Sequence, residues 1–504
     1  MNPGRKPAQR VPHMAPVKRA LPAEFNPGKD QSARPNPKGT LTAVIGILFT
    51  GLLMNGALPS GLGRRAAIGT GLSLLASIGM DSRAGLRNLI RADLMAILAF
   101  YFLTLFEFLF PQPTFDALTN LEAAHEALVV VLLGMAGLLV GRHLIRLRRQ
   151  PFADTLTREM PPWLMFAIFW ACFCIGYLHM FVAVKFDVSE LLFQFMEPRF
   201  SQPWQRGKFG DWKALLVELG LFIYLIPPLA GIMIARRRRY HPVPLFFVVV
   251  ALLFTAFYGF TSGTRNLFCS YLVTFLIGYS FALTGERRLE LTLLAAGSGA
   301  VMLLATFFML EFRTVGFSNY LHNRYEPQPK AEKTLFVDYN LYAICKLVEV
   351  FPRKKDYLGF EIPLQALIRP IPRALWKEKP EGLTSSIEDA LGVQGMTISA
   401  SFAGEAYMSG GLFTVLVAAL GFGALTGWWN FLASARNSEL GILIFASGFF
   451  AAVISMRSLF VFTTAMLPTV AALVVGSFAV KHLAAQAVRL IRRPVPRPPG
   501  RAPQ

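Results

Sequence analysis

The chain has 504 residues, of which 54% are hydrophobic and 16% charged, and its mean hydropathy is +0.46. That balance excludes an ordinary soluble globular domain and fits a polytopic membrane protein. The formal charge of +20, from 50 Lys+Arg against 30 Asp+Glu, excludes little by itself; the basic residues cluster beside apolar runs, where they set orientation and meet anionic headgroups instead of nucleic acid.

Residues 1–38 are rich in Pro, Lys and Arg and contain no apolar run, so they read as a disordered basic tail. The first apolar stretch begins near Leu41, too deep for an ordinary cleaved signal peptide, and is expected to remain as a span. Stretches of about 17–23 apolar residues predict about twelve spans, near 41–60, 64–80, 93–111, 126–144, 162–184, 214–235, 243–260, 266–283, 289–310, 411–432, 438–455 and 459–480. The second is the weakest, because it is short and follows Arg64 and Arg65.

Orientation follows from the flanks. Arg83, Arg87 and Arg91, then Arg142, Arg146, Arg148 and Arg149, then Arg236 to Arg239, then Arg287 and Arg288 make every even-numbered connection basic. The positive-inside rule places those connections and both termini in the cytoplasm. Division of the chain follows: a tail over 1–38, nine spans over 39–310, an outer segment over 311–410, three spans over 411–480 and a basic tail over 481–504. The outer segment carries twelve basic and twelve acidic side chains, so it is no polybasic anchor. Within it, FVDYNLYAICKLVEVF and YLGFEIPLQALI have the pattern of short amphipathic helices lying on a membrane.

Ionisable residues near spans fall on the outer side: Glu107, Glu126, His179, Lys185, Glu218, Arg265, Glu311, Arg313 and Arg457. Charges beside hydrocarbon persist when they pair or line a wet cavity, so the set predicts a polar pocket opening outward. Arg265 lies in GFTSGTRNLF, where small residues free backbone N–H groups and arginine offers a planar donor fork for phosphate. Arg313 leaves the ninth span, and Arg324, Arg369, Arg373 and Arg457 can reach the same rim if the outer segment folds over it. Candidate general bases are Glu405, His322, Asp338 and Glu388. The outer segments contain no DxD or DDxxD arrangement, so no metal and no cofactor is expected. Cys172, Cys174, Cys269 and Cys345 make no disulfide framework.

The element formed by Pro372, Arg373, Trp376, Lys379 and Pro380, followed by one formed by Gly404, Glu405, Tyr407 and Gly411 at the start of a span, resembles the pattern of the Wzy-type oligosaccharide repeat unit polymerases. Gly263 and Arg265 resemble that family's small-residue and arginine motif, and Arg457 the arginine before its last spans, although SMRSLF lacks the glycine–acid pair that often follows. The similarity covers residues 255–460; the amino-terminal half matches only in being hydrophobic. It implies an all-α fold resembling the GT-C glycosyltransferases, set in the bacterial inner membrane. Its implied substrates are undecaprenyl-diphosphate-linked oligosaccharides, joined at the periplasmic face, with a chain-length regulator as a further partner. Arg265, Arg313, Arg373 and Arg457 then bind the donor diphosphate, Trp376, Lys379 and Tyr407 complete the substrate site, and Glu405 or His322 takes the acceptor proton. Two other readings are an O-antigen ligase, which transfers glycan to a lipid A core, and a flippase for lipid-linked saccharides.

Overall fold

The computed structural model describes residues 34–145, 160–199, 201–204, 213–283, 288–322, 340–371, 375–376, 378–380, 383, 399–431 and 438–479. Its regular structure is helical, with no strand among the described residues. The principal helices are α1 (Pro37–Leu52), α2 (Pro59–Ser82), α3 (Ala92–Thr104), α4 (Leu121–Gly141), α5 (Pro162–Ala183), α6 (Val188–Met196), α7 (Lys213–Leu219) and α8 (Ile226–Ala235). They continue as α9 (Pro242–Thr261), α10 (Arg265–Ala282), α11 (Arg288–Val315), α12 (Asn340–Val350), α13 (Glu361–Ile368), α14 (Ser401–Trp429), α15 (Glu439–Ser455) and α16 (Leu459–Phe478).

Local chemistry explains many of the starts. Asn36 caps α1 by accepting from the Lys38 N–H at 3.0 Å, and Asn120 caps α4 by accepting from Ala123 at 2.7 Å. Proline occupies the first position of α1, α2, α5 and α9, where a missing N–H costs nothing. Between α7 and α8 the chain tightens into a 3-10 turn over Gly220–Leu225, just before Pro227 and Pro228, whose rings cannot donate to the preceding turn.

Among the described residues, 6 helical stretches are long and apolar enough to cross a membrane: Leu121–Gly141, Pro162–Ala183, Leu216–Ala235, Pro242–Thr261, Ser401–Trp429 and Leu459–Phe478. The chain is a multi-pass membrane protein. The shorter apolar helices include α1, α3 and α15. The expected span at 64–80 lies in α2, whose 24 residues include Arg64, Arg65 and Asp81 among many small ones and fall short of the apolarity of a crossing helix.

Two apolar clusters organise the packing. One joins α1 to α4 with α12 and α14 as far as Ala419; the other joins α5, α8, α9, α10, α15 and α16. Glycines let backbones touch where helices cross. A Cβ at Gly423 would lie 2.5 Å from the Leu138 carbonyl oxygen, and one at Gly427 2.5 Å from that of Arg142, which locks α14 onto α4. Gly231 and Gly278 bring α8 and α10 together in the same way. Small residues at such contacts are the main source of close helix packing in lipid, where no hydrophobic drive favours one apolar neighbour over another.

At one end of the helices, two arginines expected as cytoplasmic flanks are buried instead. Arg91 donates to Asp81 at 2.7 Å and to Asp93 at 3.0 Å, while Arg142 lies 3.4 Å from Asp93 and 3.8 Å from Asp81, all four side chains fully buried. Thr40 of α1 and Asn430 at the end of α14 join the network. Arg236 and Arg239 pair with Glu439 at the start of α15. These carboxylates neutralise part of the basic flank that the sequence displays.

Of the two surface helices expected within 311–410, the first is buried and the second keeps an apolar face exposed. FVDYNLYAICKLVEVF contributes α12, whose Leu341, Ile344, Leu347 and Val348 are buried between α4 and α14. YLGFEIPLQALI contributes α13, which packs on α16 and keeps an exposed apolar side.

Candidate functional site

Glu405 reaches its position through a break in α14. Gly411 adopts φ +71°, a left-handed conformation that glycine takes without a Cβ clash, and the helix divides there into Ser401–Ser409 and a longer apolar part. The Glu405 side chain is 2% exposed. Its carboxylate accepts from the Ser458 hydroxyl at 2.6 Å and from the Leu459 N–H at 2.5 Å. It therefore satisfies donors at the beginning of α16, where the helix dipole also favours a negative group. The same turn is stitched down twice more, by Phe402 N–H to Met456 O at 3.1 Å and by the Ser399 hydroxyl to the Arg457 carbonyl.

This turn borders a cavity of about 700 Å³. Helix ends from both clusters enclose it: the C-terminal ends of α5, α9 and α15, the first turns of α10, α14 and α16, and the turn between α7 and α8. These ends alternate in chain direction, so all lie at one end of the bundle, opposite the Arg91–Arg142 network. Arg199, Arg369 and Arg457 line it with Glu405, Glu218 and His179. Tyr224, Tyr258 and Tyr271 add a polar aromatic wall, and Phe460, Val461, Ala465 and Pro468 of α16 an apolar one.

Each arginine is carried differently. Arg199 follows α6 and donates to the Thr264 hydroxyl at 2.6 Å. Arg369 ends α13 and stacks 5.8 Å from the centre of the Phe460 ring. Its backbone is fixed by Lys379, whose ammonium donates to the Arg369 and Ile371 carbonyls at 3.0 and 2.9 Å. Arg457 sits in the turn between α15 and α16, with no side-chain hydrogen bond or ion pair among the described residues.

Of the residues singled out from the sequence, the cavity brings together Glu405 and Arg457, with Arg369, His179 and Glu218 from the wider set. Arg265 opens α10 between two lining residues, Thr264 and Asn266, while the lining face continues through Leu267, Tyr271 and Thr274; Arg265 itself does not line the cavity. His322 follows the short helix Phe317–Leu321, exposed and away from the lining, with Nδ1 2.8 Å from the Ser318 carbonyl. Trp376 is 38% exposed and outside the lining.

Tyr407 faces a separate cavity of about 290 Å³ with His125, Glu126, Phe351 and Arg353, and donates to the Phe351 carbonyl at 3.3 Å. The side chain of Arg313 lies outside the described residues, as do Arg373, Arg324, Asp338 and Glu388. Arg199 and the three tyrosines escape the sequence reading. Arg199 stands in the connection after α6, which the flanking charges place on the same side as Arg457, and that is the signal that could have found it.

A family model described as a domain of unknown function (DUF8712) matches residues 332–482, the region that contains Arg369, Glu405 and Arg457. No curated protein and no solved structure matches the chain.

Proposed function

We propose that this protein is a membrane glycosyltransferase that polymerises undecaprenyl-diphosphate-linked oligosaccharide repeat units at the periplasmic face of the inner membrane. The observation that supports the reading most is the meeting of Arg199, Arg369 and Arg457 in one cavity at one end of the bundle, beside an apolar wall of α16. A lipid diphosphate needs both parts: guanidinium forks for its oxygens and an apolar flank for its tail.

In this reaction Arg369 and Arg457 hold the donor diphosphate. The acceptor hydroxyl attacks C1 of the donor's reducing-end sugar from the face opposite the diphosphate, the new glycosidic C–O bond forms as the C1–O bond to phosphate breaks, and the configuration inverts. The electron pair leaves on the diphosphate, where the arginines stabilise it. Glu405 takes the hydroxyl proton. Ser458, Leu459 and the Phe460 backbone N–H take up three of its roughly four acceptor positions, which leaves one for the substrate. Arg265, Arg313, Arg373, Trp376 and His322 keep the roles implied by family resemblance only as residues to be tested after these.

The reading is tested by incubating the purified protein with its native undecaprenyl-diphosphate repeat unit and separating the glycans by size. A polymerase yields a ladder of whole repeats. A ligase yields product only with lipid A core added, and a flippase yields none while moving lipid between leaflets; either result overturns the proposal.

A further inference from the structure

The segment that delivers Arg369 to the cavity presents an apolar side that no described part of the chain covers. Phe360, Leu364, Leu367 and Ile371 are 87%, 52%, 67% and 38% exposed, and Leu375 just beyond them is 72% exposed. Spacings of four, three and four residues place the first four on one face of α13 and its continuation. On the opposite face, Ile362 is buried with Ala366, whose carbonyl accepts from the Thr463 hydroxyl.

That last contact fixes the depth of the segment. Thr463 lies in the second turn of α16, a helix long and apolar enough to cross a membrane. α13 therefore lies beside the first turns of a span, at the boundary between headgroups and acyl chains, and its apolar row faces away from the protein at that level. An amphipathic helix at this depth buries its apolar side in lipid. We infer that Phe360–Ile371 is an interfacial strap docked on bilayer phospholipid, which holds Arg369 at the cavity mouth while Lys379 clamps its backbone carbonyls.

The strap does not depend on which reaction the cavity performs. The test is to install the photo-crosslinking amino acid p-benzoylphenylalanine singly at Leu367, Phe360 and, as a polar control, the exposed Asp356, in the full chain in phospholipid nanodiscs supplemented with undecaprenyl phosphate. After irradiation, intact-mass spectrometry reads the adducts. Leu367 and Phe360 are expected to gain the mass of one phospholipid, and Asp356 to gain none. A cross-linked dimer would assign the face to a second copy of the chain, a polyprenyl adduct would assign it to a substrate tail, and adducts no more frequent than at Asp356 would leave it in water. Each of these overturns the inference.

Discussion

The Glu405 carboxylate holds the start of α16 and faces the cavity at once, and the two roles separate under substitution. In Glu405→Gln the amide oxygen can still accept one hydrogen bond, so thermal unfolding in detergent should show a loss of about 1–2 kcal/mol. If Glu405 accepts the substrate proton, kcat should also fall by about 100-fold with KM nearly unchanged. A folded variant with wild-type kcat removes the proton-transfer role and leaves only the structural one. Asp93 gives a cleaner case, since it faces both Arg91 and Arg142 in a fully buried network. Asp93→Ala should cost about 3–5 kcal/mol, because it leaves a buried guanidinium charge unbalanced. Unchanged unfolding would mean that water reaches the network and shields it.

At the scale of elements, glycine decides which helices can touch. Gly427→Leu would drive a side chain into the Arg142 carbonyl, 2.5 Å from the Cβ position, so α14 would have to move away from α4. The expected loss is about 1–3 kcal/mol, read by thermal unfolding, whereas Gly421→Leu, at a position with open space around it, should be tolerated. Equal losses would contradict the contact. Long apolar runs such as 126–144, 162–184 and 459–480 could be read directly, because lipid imposes both the composition and the length of a span. α12 could not. Its pattern of alternating polar and apolar residues fits a surface helix, yet its burial depends on α4 and α14 closing over it, which are distant in sequence. Arg91 and Arg142 show the same limit: a basic flank reads as solvated charge until Asp81 and Asp93 are brought beside it.

The whole molecule places its charged cavity at the seam of two packed clusters, at the bundle end opposite the buried ion network. Glu405 and Arg457 were legible in advance as polar residues beside spans, but their meeting rests on the 456–459 turn, and Arg199 enters from a connection more than 250 residues away in sequence from Arg457. The proposed orientation makes a direct prediction. In a cysteine-free background, His322→Cys should react with an impermeant maleimide on intact spheroplasts, and Arg238→Cys only after permeabilisation, both sites being exposed. The reverse pattern would turn the cavity toward the cytoplasm and end the periplasmic assignment.

On the proposed function, guanidinium groups in this cavity hold a lipid diphosphate. Native mass spectrometry of the purified protein with undecaprenyl diphosphate addresses it without needing the sugar. The wild type should bind the diphosphate in preference to undecaprenyl phosphate, and Arg457→Gln should weaken this binding by about 10-fold or more, as expected for loss of a charge-assisted contact of roughly 1.5–3 kcal/mol. Equal affinity of the wild type and Arg457→Gln, with both folded, would contradict it.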